Sequence, residues 1–315
     1  MDEKTLADLA YYRIRGDISG FCASEEGRAA LCALEPFTDS ALIERRKACS
    51  KEWQALLQSA RTSPLTAWAP AADVLRLAAA DGAALSLSEL YAVYQLCTSA
   101  QTVQRAVESS ALSLPLENLR AVTAALPTPE LSQALHAVTR VIDSHGELRD
   151  LASLREIRAR IASIQADIAR ELHRYTSDAA LSAVLESKVP AYRADRQVLA
   201  VKASEKARVQ GIVHEVSQSG QTVYIEPAEV VRKNNELVQE EFRLQAEVRK
   251  ICAEATAALR PLTDALTGAL STMLFLDVTL AAARWGMANR CTYALPCHAG
   301  AADADAGEPP LLLQA

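Results

Sequence analysis

Apolar residues recur at steps of three and four through Leu151, Leu154, Ile157, Ile161, Ile164, Ile168, Leu172 and Tyr175. Arg155, Glu156, Arg158, Arg160, Asp167 and Arg170 fill the other positions. The period predicts one long helix with a narrow apolar stripe, and such a stripe needs a helical partner beside it. A second series, Leu237, Leu244, Val248, Ile251, Ala255, Leu259, Leu262 and Leu266, supplies that partner within the same chain from Ala228 onward. Pro261 should kink it, because proline removes a helix hydrogen bond. At ~1.5 Å per residue each arm runs about 40–50 Å.

The pattern changes between the arms. Gln197–Lys202, Val209–Val216 and Gln221–Ile225 alternate and are rich in β-branched residues, which predicts three short antiparallel strands. Gly220 supplies the turn before the last strand, and Pro227 ends that strand at the start of the returning helix. Residues 1–126 read as several short helices. Ser24 opens one, Thr38 caps the next, and Pro64 and Pro70 interrupt the chain. Ser86 and Glu89 have capping-box spacing, and Thr128-Pro129 reads as a cap with proline in the first turn. The expected fold is mainly α: a helical core with two long antiparallel helices carrying a small antiparallel β-sheet at their tip. The expected boundaries are a helical core over 1–126, ascending helices over 127–175, the tip over 176–227, the returning helix over 228–270, and a core return with tail over 271–315.

Composition agrees with a helical protein: 50% of residues are hydrophobic, only 5% are aromatic, and there are 11 glycines. The net charge of −6 gives no overall attraction to nucleic acid, so any phosphate binding must be local. One such place exists. Lys188, Arg193, Arg196, Lys202, Lys206 and Arg208 face only Asp195 and Glu205, a local surplus of four positive charges. This segment is either a surface for a phosphate backbone or the solvated face of a small sheet.

Seven scattered cysteines without a C-x-x-C pair read as mostly buried, reduced thiols of a cytoplasmic protein. No apolar run of membrane-spanning length stands out, and Met1-Asp2-Glu3-Lys4 lacks the order of a signal peptide. Neither G-x-x-x-x-G-K-[ST] nor G-x-G-x-x-G is present, and none of the five histidines has triad or metal spacing. Cys291, Cys297 and His298 lack a fourth ligand for a metal. His214 beside Glu215 reads as a strand residue. No catalytic residue, metal or cofactor is therefore expected in this chain.

Several stretches together resemble the N-terminal part of MutS-type proteins of the second bacterial branch, MutS-two. They are Ser24-x-x-Gly27 with Leu34-x-Pro36; Gly211–Glu215 leading into Ser217-x-Ser219-Gly220-x-Thr222; Ile225-Glu226-Pro227 with Asn234-Asn235-Glu236-Leu237; and Leu276-Asp277 with Ala281-x-Ala283-Arg284. The resemblance implies a core, two lever helices and a nucleic-acid clamp. It makes Gly211, Ser217, Ser219, Gly220, Thr222, Glu226 and Pro227 a clamp signature of mainly structural meaning. It also implies that the basic residues from Lys188 to Arg208 approach nucleic acid. Members of this branch are homodimeric ATPases that bind branched or double-stranded DNA, suppress recombination and engage stalled or collided ribosomes. Two departures stand out. Ala200 occupies a place where the family favours proline. The chain also stops about where the ATPase domain would begin, so ATP, magnesium and the C-terminal nuclease domain fall beyond it. The rival expectation is a helical interaction protein whose stripe pairs with a protein partner and whose tip binds no nucleic acid.

Overall fold

The computed structural model describes residues 3–59, 63–193 and 196–294. The fold is mainly helical with one small four-stranded antiparallel sheet. Among the described residues, eight helices precede residue 148: α1 (Glu3–Asp8), α2 (Tyr11–Ser19), α3 (Glu25–Cys32), α4 (Ser40–Ser59), α5 (Ala72–Ala79), α6 (Leu87–Ser110), α7 (Glu117–Thr123) and α8 (Thr128–Thr139). The long helix α9 (Ala152–Ser177) and the short α10 (Ala179–Ser182) lead into strands β1 (Ala191–Arg193), β2 (Arg196–Lys202), β3 (Gly211–Val216) and β4 (Thr222–Pro227). Helices α11 (Ala228–Leu259) and α12 (Thr263–Ala288) follow, separated by a 3₁₀ turn over Arg260–Leu262 at the proline that the sequence marks as a kink. Contacts divide the chain into two units, one of residues 1–148 with 253–315 and one of residues 149–252.

The first unit is a helical body around fully buried side chains such as Trp53, Leu90, Leu96, Leu119 and Leu276. The Trp53 indole N–H donates to Thr279 Oγ1 at 3.1 Å, so the largest core residue is also polar-satisfied. The Ser86–Glu89 capping box forms as expected. Two expected caps are corrected. Asp39, not Thr38, accepts from Ala41 and Leu42 N–H, because its carboxylate reaches the first free donors of α4. Thr128 lies inside α8, after Pro127, and its hydroxyl instead donates to Gln104 Oε1. The segment expected as ascending helices over 127–175 is also split, with α8 in the first unit and α9 in the second.

Two sequence stretches far apart meet in this body. Asp277, fully buried, accepts from Ala23 N–H at 2.7 Å, Ser24 N–H at 3.0 Å and the Ser24 hydroxyl at 2.7 Å. Ser24 Oγ in turn accepts from Gly27 N–H and caps α3. Gly27 must be glycine here, since a Cβ would lie 2.0 Å from Asp277 Oδ2. Arg284 completes the junction by donating to the Phe21 carbonyl at 3.2 Å.

One helical stretch, Ala228–Ala288, is long and apolar enough by composition to cross a membrane, a property that the spacing of its apolar residues does not announce. Its most apolar window is 56% buried inside the protein, as in a core helix. Buried residues lie on every side of α12, so its apolar content serves packing rather than one stripe. Of the six described cysteines, Cys49, Cys97 and Cys252 are buried, Cys22 and Cys291 are partly buried, and Cys32 is exposed. Five of the six are thus buried or partly buried.

In the second unit α9 lies antiparallel to the first part of α11. Arg160 pairs with Glu236, Asp167 with Lys233, and Tyr175 with Glu229, so the partner number falls as the α9 number rises. The stripe faces inward: Leu154, Ile157, Ile164, Ile168 and Leu172 are buried. Ile164, Ile168 and Leu172 pack with Leu199, Val201, Val223, Ile225, Val230 and Leu237, joining both helices to one face of the sheet. The strand order is β1-β2-β4-β3, so β4 is a central strand and β3 an edge. Short β1, Ala191–Arg193, is a fourth strand that three residues could not announce in the sequence.

Candidate nucleic-acid interface

The sheet carries the basic segment, and its local chemistry begins with the clamp-like signature. The turn between β3 and β4 is closed at both levels. Ser217 N–H donates to the Thr222 carbonyl at 2.9 Å, Thr222 N–H donates to Ser217 Oγ at 3.0 Å, and Gly220 N–H donates to the Ser217 carbonyl at 2.8 Å. Ser219 Oγ lies 3.3 Å from Ser217 Oγ. Gly220 has φ 71°, the left-handed region that glycine enters without strain. Gly211 serves a different need. It pairs with Pro227 at the end of β4, and a Cβ there would lie 2.0 Å from the Glu226 carbonyl oxygen.

Glu226 is the polar hub of this unit. Its side chain is fully buried and accepts from Arg196 at 2.9 Å and from Asn234 Nδ2 at 2.8 Å, with His214 Nε2 at 2.7 Å. Burial pushes its carboxyl up, but hydrogen bonds from Asn234, His214 and Arg196 outweigh burial and hold it below the usual glutamate range. Arg196 also donates to Asn235 Oδ1 at 2.6 Å, and Asn234 to the Gln197 carbonyl at 3.2 Å. The network therefore ties β2, β3, β4 and the start of α11 together.

This arrangement sorts the six basic residues. Arg196 is turned inward to Glu226 and Asn235, and only 24% of its side chain is exposed, so it serves the network rather than the surface. Arg193 pairs with Glu215 across the sheet and lies 4.0 Å over the ring of Tyr224. Arg208 pairs with Glu205 at 3.6 Å, one turn away. Lys188, Lys202 and Lys206 are exposed. Lys202 anchors its ammonium on the Ala183 carbonyl at 3.0 Å, which fixes the position of that charge at the surface. A count of charges cannot tell an inward arginine from an outward lysine.

The same region shows residues that charge counting passes over. Tyr192 on β1 is 64% exposed, and its hydroxyl accepts from Gln197 Nε2 at 2.8 Å. Ile212, Val213 and Val216 on the edge strand β3 are each about half exposed. The alternation of β1 could have pointed to Tyr192 had the strand been recognisable.

Elsewhere no constellation for bond-breaking assembles among the described residues. No group of three or more His, Cys, Asp or Glu converges to hold a metal ion. Cys297 and His298 lie outside the described residues. An apolar cavity of about 270 Å³ in the first unit, walled by Ile14, Ile18, Leu31, Leu34 and Val278, has no carboxylate, histidine or thiol in its lining. Burial pushes the thiols of Cys97 and Cys22 up to about 12 and that of Cys49 to about 11, which makes them poor nucleophiles.

The stretches that resemble MutS-type proteins therefore form the turn and hub of the sheet and the Ser24–Asp277 junction of the helical body. Comparison with known proteins bears that resemblance out: the chain is similar to proteins named MutS2 over about 90% of its length. The chain is 31% identical over 288 residues to Endonuclease MutS2 of Pelotomaculum thermopropionicum, a match covering 90% of this chain and 36% of that protein. It is 30% identical over 295 residues to Endonuclease MutS2 of Symbiobacterium thermophilum, covering 93% and 36%. Against the Putative endonuclease MutS2 of Bacillus subtilis it is 27% identical over 297 residues, covering 93% and 37%. The chain thus spans little more than a third of the length of these curated relatives. No protein-family model matches it.

Proposed function

We propose that this chain is the nucleic-acid-binding clamp and lever module of a MutS-type ATPase. In this reading the four-stranded sheet is the clamp, α9 and α11 are the levers, and the first unit is the core. The observation that carries it is the exposed lysine set Lys188, Lys202 and Lys206 on a sheet unit whose segment is locally positive in a chain of net charge −6. Such a surface suits a phosphate backbone, whether of branched or double-stranded DNA or of ribosomal RNA. ATP, magnesium and any endonuclease chemistry belong to the part of the longer relatives that this chain does not span. The complete machine acts in the cytoplasm as a homodimer, and nucleotide state moves the levers as stiff rods that open or close the clamps. Suppression of recombination and rescue of stalled or collided ribosomes are the two roles it would serve.

The test is the Lys202→Glu, Lys206→Glu double variant, with binding to branched DNA, duplex DNA and ribosomes measured across salt. Each lost phosphate contact should lower the slope of log K against log salt by about 0.9 on duplex DNA and weaken binding on every sequence alike. Unchanged affinity and slope would remove these lysines from the interface. Binding to a protein partner that ignores both salt and DNA would instead favour a helical interaction protein.

A further inference from the structure

The outer edge of the sheet combines features that a phosphate-binding surface does not require. Tyr192 presents an aromatic ring that is 64% exposed, although burying an aromatic side chain is ordinarily favourable. It is not a loose side chain, because it stands on a hydrogen-bonded strand opposite Gln197, whose amide holds its hydroxyl at 2.8 Å. The next residue, Arg193, turns to the other side of the strand. There its guanidinium lies 4.0 Å over the Tyr224 ring and is held from its edge by Glu215, while 35% of the side chain remains exposed. Two planar π-groups, one aromatic and one guanidinium, are thus presented on a three-residue strand. Exposed Lys188 lies just before it in sequence, and exposed Val189, at 73%, adds apolar surface beside that charge.

Planar faces beside fixed positive charge are what unpaired nucleotides bind. Every base has a π-face for stacking, and the phosphates that link bases need cations nearby. A duplex cannot use such faces without unstacking, since its bases are already covered above and below. We infer that the β1 edge is a stacking site for unpaired nucleobases, with Tyr192 as the aromatic platform on one face of the strand and Arg193, supported on Tyr224, as a separate plane on the other. This deepens the nucleic-acid reading of the sheet and rests on it. It makes single-stranded segments, such as those exposed at branches, flaps or RNA loops, the class of nucleic acid that this edge selects.

The experiment is fluorescence anisotropy on the full 315-residue chain. The probes are a labelled oligothymidine single strand and a labelled duplex of equal length at one fixed salt concentration. Tyr192→Ala should weaken single-strand binding by about 5- to 150-fold, the range for losing one stacked base, and leave duplex binding within about twofold. Tyr192→Phe, which keeps the ring and loses only the Gln197 hydrogen bond, should retain single-strand binding. Equal effects of Tyr192→Ala on both probes would overturn the stacking site. So would an unchanged single-strand affinity in a protein whose binding still falls in the Lys202→Glu, Lys206→Glu variant, and in that case the clamp reading survives. Failure of the wild-type chain to bind either probe would remove both proposals together.

Discussion

The Ser24 hydroxyl donates to Asp277 Oδ2 at 2.7 Å across 253 positions of sequence. The same oxygen of Ser24 receives the Gly27 N–H, so one hydroxyl caps a helix and delivers that helix to a buried carboxylate. Asp277→Asn should keep the shape and lose the charge that three donors now share. Hydrogen bonds to charged groups contribute about 1.5–3 kcal/mol each, so the loss should reach at least about 2 kcal/mol. Urea unfolding followed at Trp53, Trp68 and Trp285 in the first unit is the measurement. A midpoint within error of wild type would show that the junction is not a stability element.

Acid should act on the second unit through Glu226. Its folded carboxyl sits below the ordinary glutamate value of 4.5, so burial loses to the hydrogen bonds of Asn234, His214 and Arg196. A depressed folded pKa means that the contribution is fully present above the unfolded value and is lost as pH falls through the folded value. Stability of this unit should therefore be flat with respect to Glu226 from neutral pH to about 5 and fall below about 4.5. Glu226→Gln should be less stable at pH 7 by about 1.5–3 kcal/mol and lose that part of the acid slope. Denaturant midpoints of both proteins across pH provide the check, and parallel curves would clear Glu226 of the role.

Two glycines of the signature, one at the start of β3 and one in the turn, should behave differently. Gly211→Ala places a methyl group 2.0 Å from the Glu226 carbonyl oxygen, and neither strand can retreat without breaking the β3–β4 pairing. A loss of about 2 kcal/mol or more is expected, in the range for overpacking a rigid site. Gly220→Ala meets open space and bears only the cost of positive φ, about 1 kcal/mol. Thermal unfolding should rank them in that order, and equal shifts would contradict the close-approach explanation of Gly211.

The paired helices separate apolar from ionic contributions. Leu172→Ala, at a fully buried stripe position, should cost about 2–5 kcal/mol. Arg160→Ala removes an ion pair whose arginine is 54% exposed, and it should change stability by less than about 1 kcal/mol. If the arginine mattered more than the leucine, the ladder of charges rather than the stripe would hold the pair.

The α9 stripe is legible in the sequence because its period needs only local information, and the capping box at Ser86 is legible for the same reason. The meaning of Arg196 is not, because its direction depends on Glu226 and Asn235, which are 30 and 39 positions away. Thr38 passes for a cap in the sequence because spacing alone does not rank Asp39 against it, and Thr128 does because the helix starts one residue earlier than its Thr-Pro pair suggests. The signature from Gly211 to Pro227 announces itself as a block. Only the pairing of Gly211 with Pro227 and the reach of Glu226 show why those residue types stand there.

Strand β4 passes into α11 without an intervening residue: Pro227 is the last of one and Ala228 the first of the other. The Ala228 N–H is already engaged by the Gln210 carbonyl at 3.0 Å, and β4 is laced to a neighbour along each edge. There is no hinge at this joint and no slack to absorb a twist. Any reorientation of the first turn of α11 would therefore be shared by β4, since no loop separates the two.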